Sequence, residues 1–430
     1  MKANKYIITL LAVYLVYLTH GIQAIILSQN LDQFVTQWGC DKAGIYSAIA
    51  YSGLGKFIFI WICGELSDRI GRKIMIALGA IMYIIFFAVL LTTHDYTLAV
   101  IAAFLSGAAT SFFDGACYPA LQESWVKAPG TAVILVKGVI SASGLIYPLL
   151  VVSLRAAGSW QVGITIPLVM SILVLLVGII APYSYDAELK ERKAAAKAGK
   201  LVGDTGKKQV LDLDAQRAAA RFLVKPSKLI PVGCALYGFI AMAAMFSAQQ
   251  LLTRYGKTVV GMNDLSSAAL TSLYTGGSLA AVIIWGVFMS KFRWRPLKVL
   301  LVDTIGSVLA YALVCLVQSP TVVQIAAVGI GFFAAGGALQ CGIALMQEFN
   351  PGNKGRNVGI YYSFMAAASY VLPVIQSWLT SSSNEGQAIV YSLLLNLTLT
   401  IVGCIFMFVL AVNYKKWFGV SFMSPRGDNE

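Results

Sequence analysis

The sequence predicts an all-α polytopic membrane protein, with twelve transmembrane helices arranged as two pseudo-repeated bundles of six. Three observations predict it. First, 58% of the 430 residues are hydrophobic and 12% are charged, about half the charged fraction of an ordinary soluble chain. The apolar residues fall in runs of roughly 18 to 25, enough to span about 30 Å of hydrocarbon at about 1.5 Å per residue. Lipid offers the backbone no hydrogen-bond partners, so each run must be helical. Second, the basic residues segregate by loop parity. Third, sequence features of the first half recur in the second at an offset of 225 residues.

The first six spans fall at 6–30, 43–63, 74–92, 97–120, 131–154 and 161–182. The first follows Met1-Lys-Ala-Asn-Lys, a start that resembles a signal peptide; eleven further spans follow, so it reads as an uncleaved helix. It carries His20 and Gln23 near its middle and Asn30 further out. The second contains Lys56. On the fourth, Gly107, Ser111, Asp114, Tyr118 and Gln122 recur at helical spacing on one face, and on the fifth Lys137, Ser141, Gly144 and Pro148 do the same.

The only long hydrophilic stretch, 183–228, follows the sixth span. Its Ala, Lys, Glu and Arg residues favour helix, and Gly203 and Gly206 break it into two pieces. It reads as a linker between a bundle at 1–182 and a bundle at 229–413, with a tail at 414–430. Two readings stand for it: short amphipathic helices lying on an anionic inner leaflet, or a solvated tether.

The second set of spans falls at 229–252, 265–289, 298–318, 320–346, 356–380 and 387–413. Its interior polar residues are Gln249, Tyr274, Gln340, Tyr362, Ser369 and Tyr370. Asp303 lies five residues beyond Lys298 and reads as a helix-end residue of the ninth span. Gln122-Glu123 at the end of the fourth span recurs as Gln347-Glu348 at the end of the tenth, and Pro148 recurs as Pro373. This supports duplication.

The net charge of +13 does not point to nucleic acid. With the N-terminus inside, 26 of the 32 Lys and Arg fall in cytoplasmic segments, 11 of them in the linker. External loops hold 4: Lys42, Arg155, Arg254 and Lys257. This bias places both termini in the cytoplasm, and the compact chain, with no targeting signal, reads as a bacterial inner-membrane protein. The seven Cys form no CxxC pair and mostly lie within spans, so neither a metal site nor a disulfide framework is expected. No nucleotide-binding loop, metal-ligand spacing or GxSxG motif points to an enzyme.

The loop after the second span reads Gly64-Glu-Leu-Ser-Asp-Arg-Ile-Gly-Arg-Lys73. It resembles the signature of the major facilitator superfamily, G-x-L-[SA]-D-R-x-G-R-[RK], at every fixed position and in the joint where topology requires it. The equivalent second-half joint, Gly286-Val-Phe-Met-Ser-Lys-Phe-Arg-Trp-Arg295, keeps the glycine and the basic cluster but loses the aspartate. The resemblance implies a secondary transporter with a cytoplasmic gate built from Gly64, Asp68, Arg69, Gly71, Arg72, Lys73 and Glu123. Gly64 and Gly71 permit a tight turn and close helix approach. Asp68 can face the N-terminus of span eleven. The family pattern implies that Arg72 bridges Asp68 to Glu123.

Lys56, Asp114 and Lys137 share one level, each about seven residues and so roughly 10 Å from its helix's cytoplasmic end. A charge at a helix centre costs about 2.5–3.5 kcal/mol on insertion scales, so each needs a partner or a wet cavity. Spans four and five are sequence neighbours, so Asp114 can pair with Lys137 and leave Lys56 spare. A structural Asp114–Lys137 pair and a snorkelling Lys56 are the plainer readings. At the 225 offset Leu339 stands for Asp114 and Tyr362 for Lys137, so charged work falls to the first half.

Two lysines against one aspartate suit a small organic anion such as a carboxylate. The expected substrate-binding set is Lys56, Lys137, His20, Gln23, Ser111, Tyr118, Gln340, Tyr362 and Tyr370. Asp114 and His20 are expected to carry the coupling proton. Protonated Asp114 releases a lysine for the anion, which links the two ligands. The expected protein is therefore a monomeric proton-coupled symporter working by alternating access, with no cofactor beyond H⁺. The alternative is proton-coupled efflux of drugs or amphipathic compounds. Family exporters often carry G-x-x-x-G-P-x-x-G-G in span five, and Gly138-Val-Ile-Ser-Ala-Ser-Gly-Leu-Ile-Tyr-Pro148 lacks its Gly-Pro and paired Gly.

Overall fold

The computed structural model describes residues 6–124, 129–197, 222–227, 229–350 and 354–425. Among the described residues the chain is helical, with no strand. Among the described residues, nine helices are long and apolar enough to cross a membrane. They are Lys42–Ile70, Arg72–Thr92, Tyr96–Leu121, Leu135–Ala156, Val162–Ile180, Leu229–Thr258, Asp264–Ser290, Pro296–Leu316 and Glu385–Phe418. Lys354–Ser382 is a further helix of 29 residues, more polar along its length. The remaining two spans are broken into shorter apolar pieces. Together these make the twelve that the hydropathy requires.

The breaks have local causes. Span one runs as Ile7–Gln23, Ile26–Gln29 and Leu31–Trp38. Buried Asn30 sits at the second break, where its Nδ2 donates to the Ile26 carbonyl at 2.9 Å and to the Tyr147 hydroxyl at 3.1 Å. Span ten runs as Pro320–Ile330, a π-helical turn Gly331–Ala335, and Ala338–Phe349. Gly336 and Gly337 separate the last two pieces, where helix propensity is weakest.

Helix starts follow ordinary capping. Asp41 accepts from the Gly44 N–H at 2.8 Å at the head of span two, and Asn263 from the Ser266 N–H at 2.8 Å at the head of span eight. Pro296 and Pro320 occupy the first positions of spans nine and ten, where the missing N–H costs nothing. Large apolar side chains such as Trp61, Ile180, Leu309 and Trp378 stand exposed on the outer faces. So much exposed apolar surface marks contact with lipid.

The chain forms two compact units: Met1–Leu201 with Ser369–Glu385, and Val202–Ala368 with Gly386–Glu430. Span eleven is thus shared. Its latter part belongs to the first unit, where Ser377 Oγ donates to the Ala43 carbonyl at 2.9 Å and Lys42 Nζ pairs with Glu385 at 2.5 Å. A methyl built on Gly53 would lie 2.1 Å from the Ser369 carbonyl oxygen, so glycine is required there. Of the linker, Ser184–Lys197 is a helix, and 198–221 lies outside the described residues.

Within the first unit, spans two and four meet backbone to backbone. A methyl on Gly107 would lie 1.7 Å from the Ser52 carbonyl oxygen, and one on Gly55 2.1 Å from that of Phe104. The second unit packs around Tyr237, Trp285, Leu300, Leu345, Tyr361 and Met407.

Candidate functional site

The close packing of spans two and four decides which charges meet. Lys56 Nζ lies 3.3 Å from Asp114 Oδ2, with side chains 25% and 16% exposed. The expected Asp114–Lys137 pair does not form. Adjacency in sequence suggested it, but the glycine contact at Gly55 and Gly107 brings span two, not span five, onto Asp114. Lys137 is half-buried in span five and has no ion-pair partner among the described residues.

A polar network surrounds the pair. Tyr17 donates to Asp114 Oδ1 at 3.3 Å, and its ring lies 5.3 Å from that of Tyr118 and edge-on to His20. His20 Nδ1 lies 3.0 Å from the Tyr83 hydroxyl, which also meets Thr110 at 3.0 Å and donates to Gln23 Oε1 at 3.4 Å. Gln23 Nε2 donates to Ser106 at 3.0 Å and Ser52 at 3.3 Å. Ser111 is buried and gives its hydroxyl to the Lys56 carbonyl at 2.9 Å. That bond clamps spans two and four together and occupies the Ser111 proton.

Sequence reading missed Tyr17, Tyr83, Ser52, Ser106 and Thr110. A signal existed: Ser106, Thr110 and Asp114 step by four along one face, as do Ser52 and Lys56.

The remaining expected residues are placed as follows. Tyr370 belongs to the first unit, with its backbone N–H against Gly53, one turn from Lys56. Tyr362 belongs to the second unit and packs half-buried on that unit's core. The side chains of Gln122 and Gln340 lie outside the described residues.

The loop between spans two and three forms a second ionic cluster. Arg72 donates to Asp68 at 2.8 Å and to Glu123 at 3.0 Å, so one buried guanidinium spans both carboxylates. Burial pushes the Glu123 carboxyl above its ordinary range, against the opposing pull of Arg72. Gly71 has φ +103°, and a methyl there would lie 2.6 Å from Asp186. The Asp186 carboxylate caps span three, accepting from the Arg72 and Lys73 N–H groups at 2.6 and 2.9 Å. Tyr185 donates to the Asp68 carbonyl at 2.9 Å and stacks under Arg72 at 4.1 Å. The linker's first turn is therefore built into the motif, which sequence reading did not anticipate.

Two expectations for the loop need correction. Gly64 does not permit a close approach, because nothing lies within 4 Å of where its side chain would begin. Arg69 makes an exposed pair with Glu65 at 2.5 Å, one turn away on its own helix. Span eleven, whose N-terminus was expected to receive Asp68, is described from Lys354 on, and 351–353 lie outside the described residues. The second unit solves the same problem differently: Tyr414 donates to Glu348, and Arg295 donates to the Tyr414 hydroxyl at 3.4 Å and to the Ser424 carbonyl at 3.1 Å.

Comparison with known proteins agrees with this architecture. The family model described as Major Facilitator Superfamily matches residues 9–349. The inner membrane transport protein YdiM of Escherichia coli (strain K12) is 33% identical over 88% of this chain and 89% of its own length. YdiN of the same organism, also an inner membrane transport protein, is 30% identical over 97% and 94%. Among solved structures, a D-xylose-proton symporter superposes with a TM-score of 0.67 at 16% identity, covering 94% of this chain and 97% of that one.

Proposed function

We propose that this chain, which belongs to the major facilitator superfamily and is a membrane transporter rather than an enzyme, couples the uptake of a small organic anion to protons. The observation that carries the reading is the Lys56–Asp114 pair at 3.3 Å, half-buried among spans one, two and four. Asp114 balances Lys56. Lys137, on span five, adds a cation with no carboxylate partner among the described residues, so the three intramembrane charges Lys56, Asp114 and Lys137 sum to about +1. That balance favours an anion as the ligand.

Coupling follows from competition. Ionised Asp114 occupies Lys56. When Asp114 takes a proton, Lys56 is freed for the carboxylate of a substrate, so proton and anion bind cooperatively. Tyr17 holds Asp114 Oδ1 in either state, since a phenol can donate to a carboxylate or to the carbonyl of a neutral acid. His20, joined to Tyr83, is a second candidate for the proton. The bundles would then expose the site alternately to the two sides. We place both termini in the cytoplasm on the positive-inside bias and take the unit of transport to be the monomer.

The test is uptake into proteoliposomes under an inward proton gradient, using a panel of radiolabelled mono- and dicarboxylates. Wild type should accumulate at least one of them. Asp114→Asn should retain exchange but lose accumulation, and Lys56→Ala and Lys137→Ala should weaken binding. If no anion moves while lipophilic cations are expelled, the anion reading is overturned.

A further inference from the structure

The second unit holds a carboxylate that the cluster in the first unit leaves unused. Asp303 is completely buried in span nine, at 0% exposure. Sequence reading placed it at a helix end. The helix instead begins at Pro296, so Asp303 stands two turns inside it.

Among the described residues it has no counter-ion. Trp285 Nε1 donates to Oδ1 at 3.0 Å. Oδ2 has no hydrogen-bond partner among the described residues. Among the described residues, Tyr237 of span seven and Cys341 of span ten are the titratable groups that face it electrostatically, and neither carries a positive charge. The cations on its own helix and beside it are engaged elsewhere. Lys298 sits 4.0 Å over the Trp294 ring, and Arg295 donates to Ser424 and Tyr414. An ionised carboxylate with one neutral donor and no cation in such a site is strongly disfavoured.

The wall around Oδ2 is unusual as well. A methyl built on Gly337 would lie 2.5 Å from Oδ2, so the glycine leaves just enough room for the carboxyl. Gly337 follows the π-helical turn Gly331–Ala335, which packs on the same span by seating Phe333 against Gly306; a methyl there would lie 2.3 Å from the ring. π-turns interrupt the helix ladder and recur at functional sites. Oδ2 is thus shut off from solvent beside the end of this turn.

We propose that Asp303 is a proton-binding site of the second unit, occupied in this conformation, and that the packing of the π-turn of span ten against span nine controls release of the proton. The site is separate from Asp114 and does not depend on the substrate being an anion. Trp285 is a positioning residue that holds the carboxyl by its other oxygen.

Infrared difference spectroscopy on the full chain in liposomes tests it. Wild type at neutral pH should show a protonated-carboxyl C=O band that Asp114→Asn retains and Asp303→Asn lacks. Trp285→Phe removes a donor to that carboxyl and should shift the band to higher frequency, which keeps the assignment testable if Asp303→Asn folds poorly. In D₂O the band should exchange slowly, and Phe333→Ala, which loosens the turn, should speed that exchange by about tenfold or more. A wild-type spectrum unchanged by Asp303→Asn, or a band unmoved by Trp285→Phe, would overturn the site. Exchange unaltered by Phe333→Ala would overturn the control by the π-turn.

Discussion

Each unit carries an acid inside a span, Asp114 in the first and Asp303 in the second, and the two meet its cost in opposite ways. In the first, Asp114 keeps 16% exposure, a lysine at 3.3 Å and a tyrosine donor. In the second, Asp303 has no exposure, an indole donor and no cation partner among the described residues. The duplicated framework did not duplicate the chemistry. At the 225 offset, Leu339 stands where Asp114 does, and Leu78 where Asp303 does. A charge in a membrane bundle is set by what a neighbouring helix presents rather than by its place in the repeat.

The largest expected break in this comparison comes from removing one member of the pair. Asp114→Asn leaves half-buried Lys56 without a countercharge. It should lower stability by about 1–3 kcal/mol, less than a fully buried pair because the site is partly wet, and should abolish gradient-driven accumulation. Thermal melting of the purified protein and the liposome assay check both. A smaller effect is expected at the loop cluster. Gly71→Ala forces an L residue to φ +103° against Asp186 and should cost about 1–3 kcal/mol. Gly64→Ala, in open space on a helix, should be neutral or stabilising by up to about 1 kcal/mol. Equal melting shifts for the two glycines would show that the Asp186 cap does not constrain the loop.

Asp303→Asn sharpens the contrast with Asp114→Asn. The amide mimics a neutral acid, so melting should change by about 1 kcal/mol or less at neutral pH. A loss as large as that of Asp114→Asn would mean that Asp303 is ionised after all. The mildest test concerns orientation. Cys40 lies in the joint between spans one and two, and burial, with Asp41 beside it, pushes its thiol above the ordinary range. Thiolate is the reactive form, so labelling by an impermeant maleimide from outside should be slow at neutral pH, rise with pH and quicken in Asp41→Asn. Labelling only from the cytoplasmic side would invert the proposed topology.

Much of this fold was legible because lipid enforces it. Run length gave the spans, and the intramembrane charges at Lys56, Asp114 and Lys137 stood out against their apolar neighbours. The partners did not. Which lysine meets Asp114 depends on the glycine contact between spans two and four, and a glycine in a sequence does not say which helix it faces. Tyr17 and Tyr83 were hidden for a related reason: an aromatic residue in a span is as often an interfacial or packing residue as a ligand. Asp303 was misplaced because its span was read as beginning at Lys298, two residues beyond Pro296, where the helix actually starts. Asp186 was missed because a cap supplied by a distant linker leaves no local pattern.

The division of span eleven has a consequence for dissecting the molecule. Ser369–Glu385 contributes Ser377, Glu385 and the Ser369 backbone to the first unit. A polypeptide severed in the linker would therefore yield an N-terminal fragment that lacks one wall of its own unit, with Lys42 deprived of Glu385 and the groove at Gly53 laid bare. The two gene halves expressed apart should be unstable, and only their co-expression should restore a complete first unit.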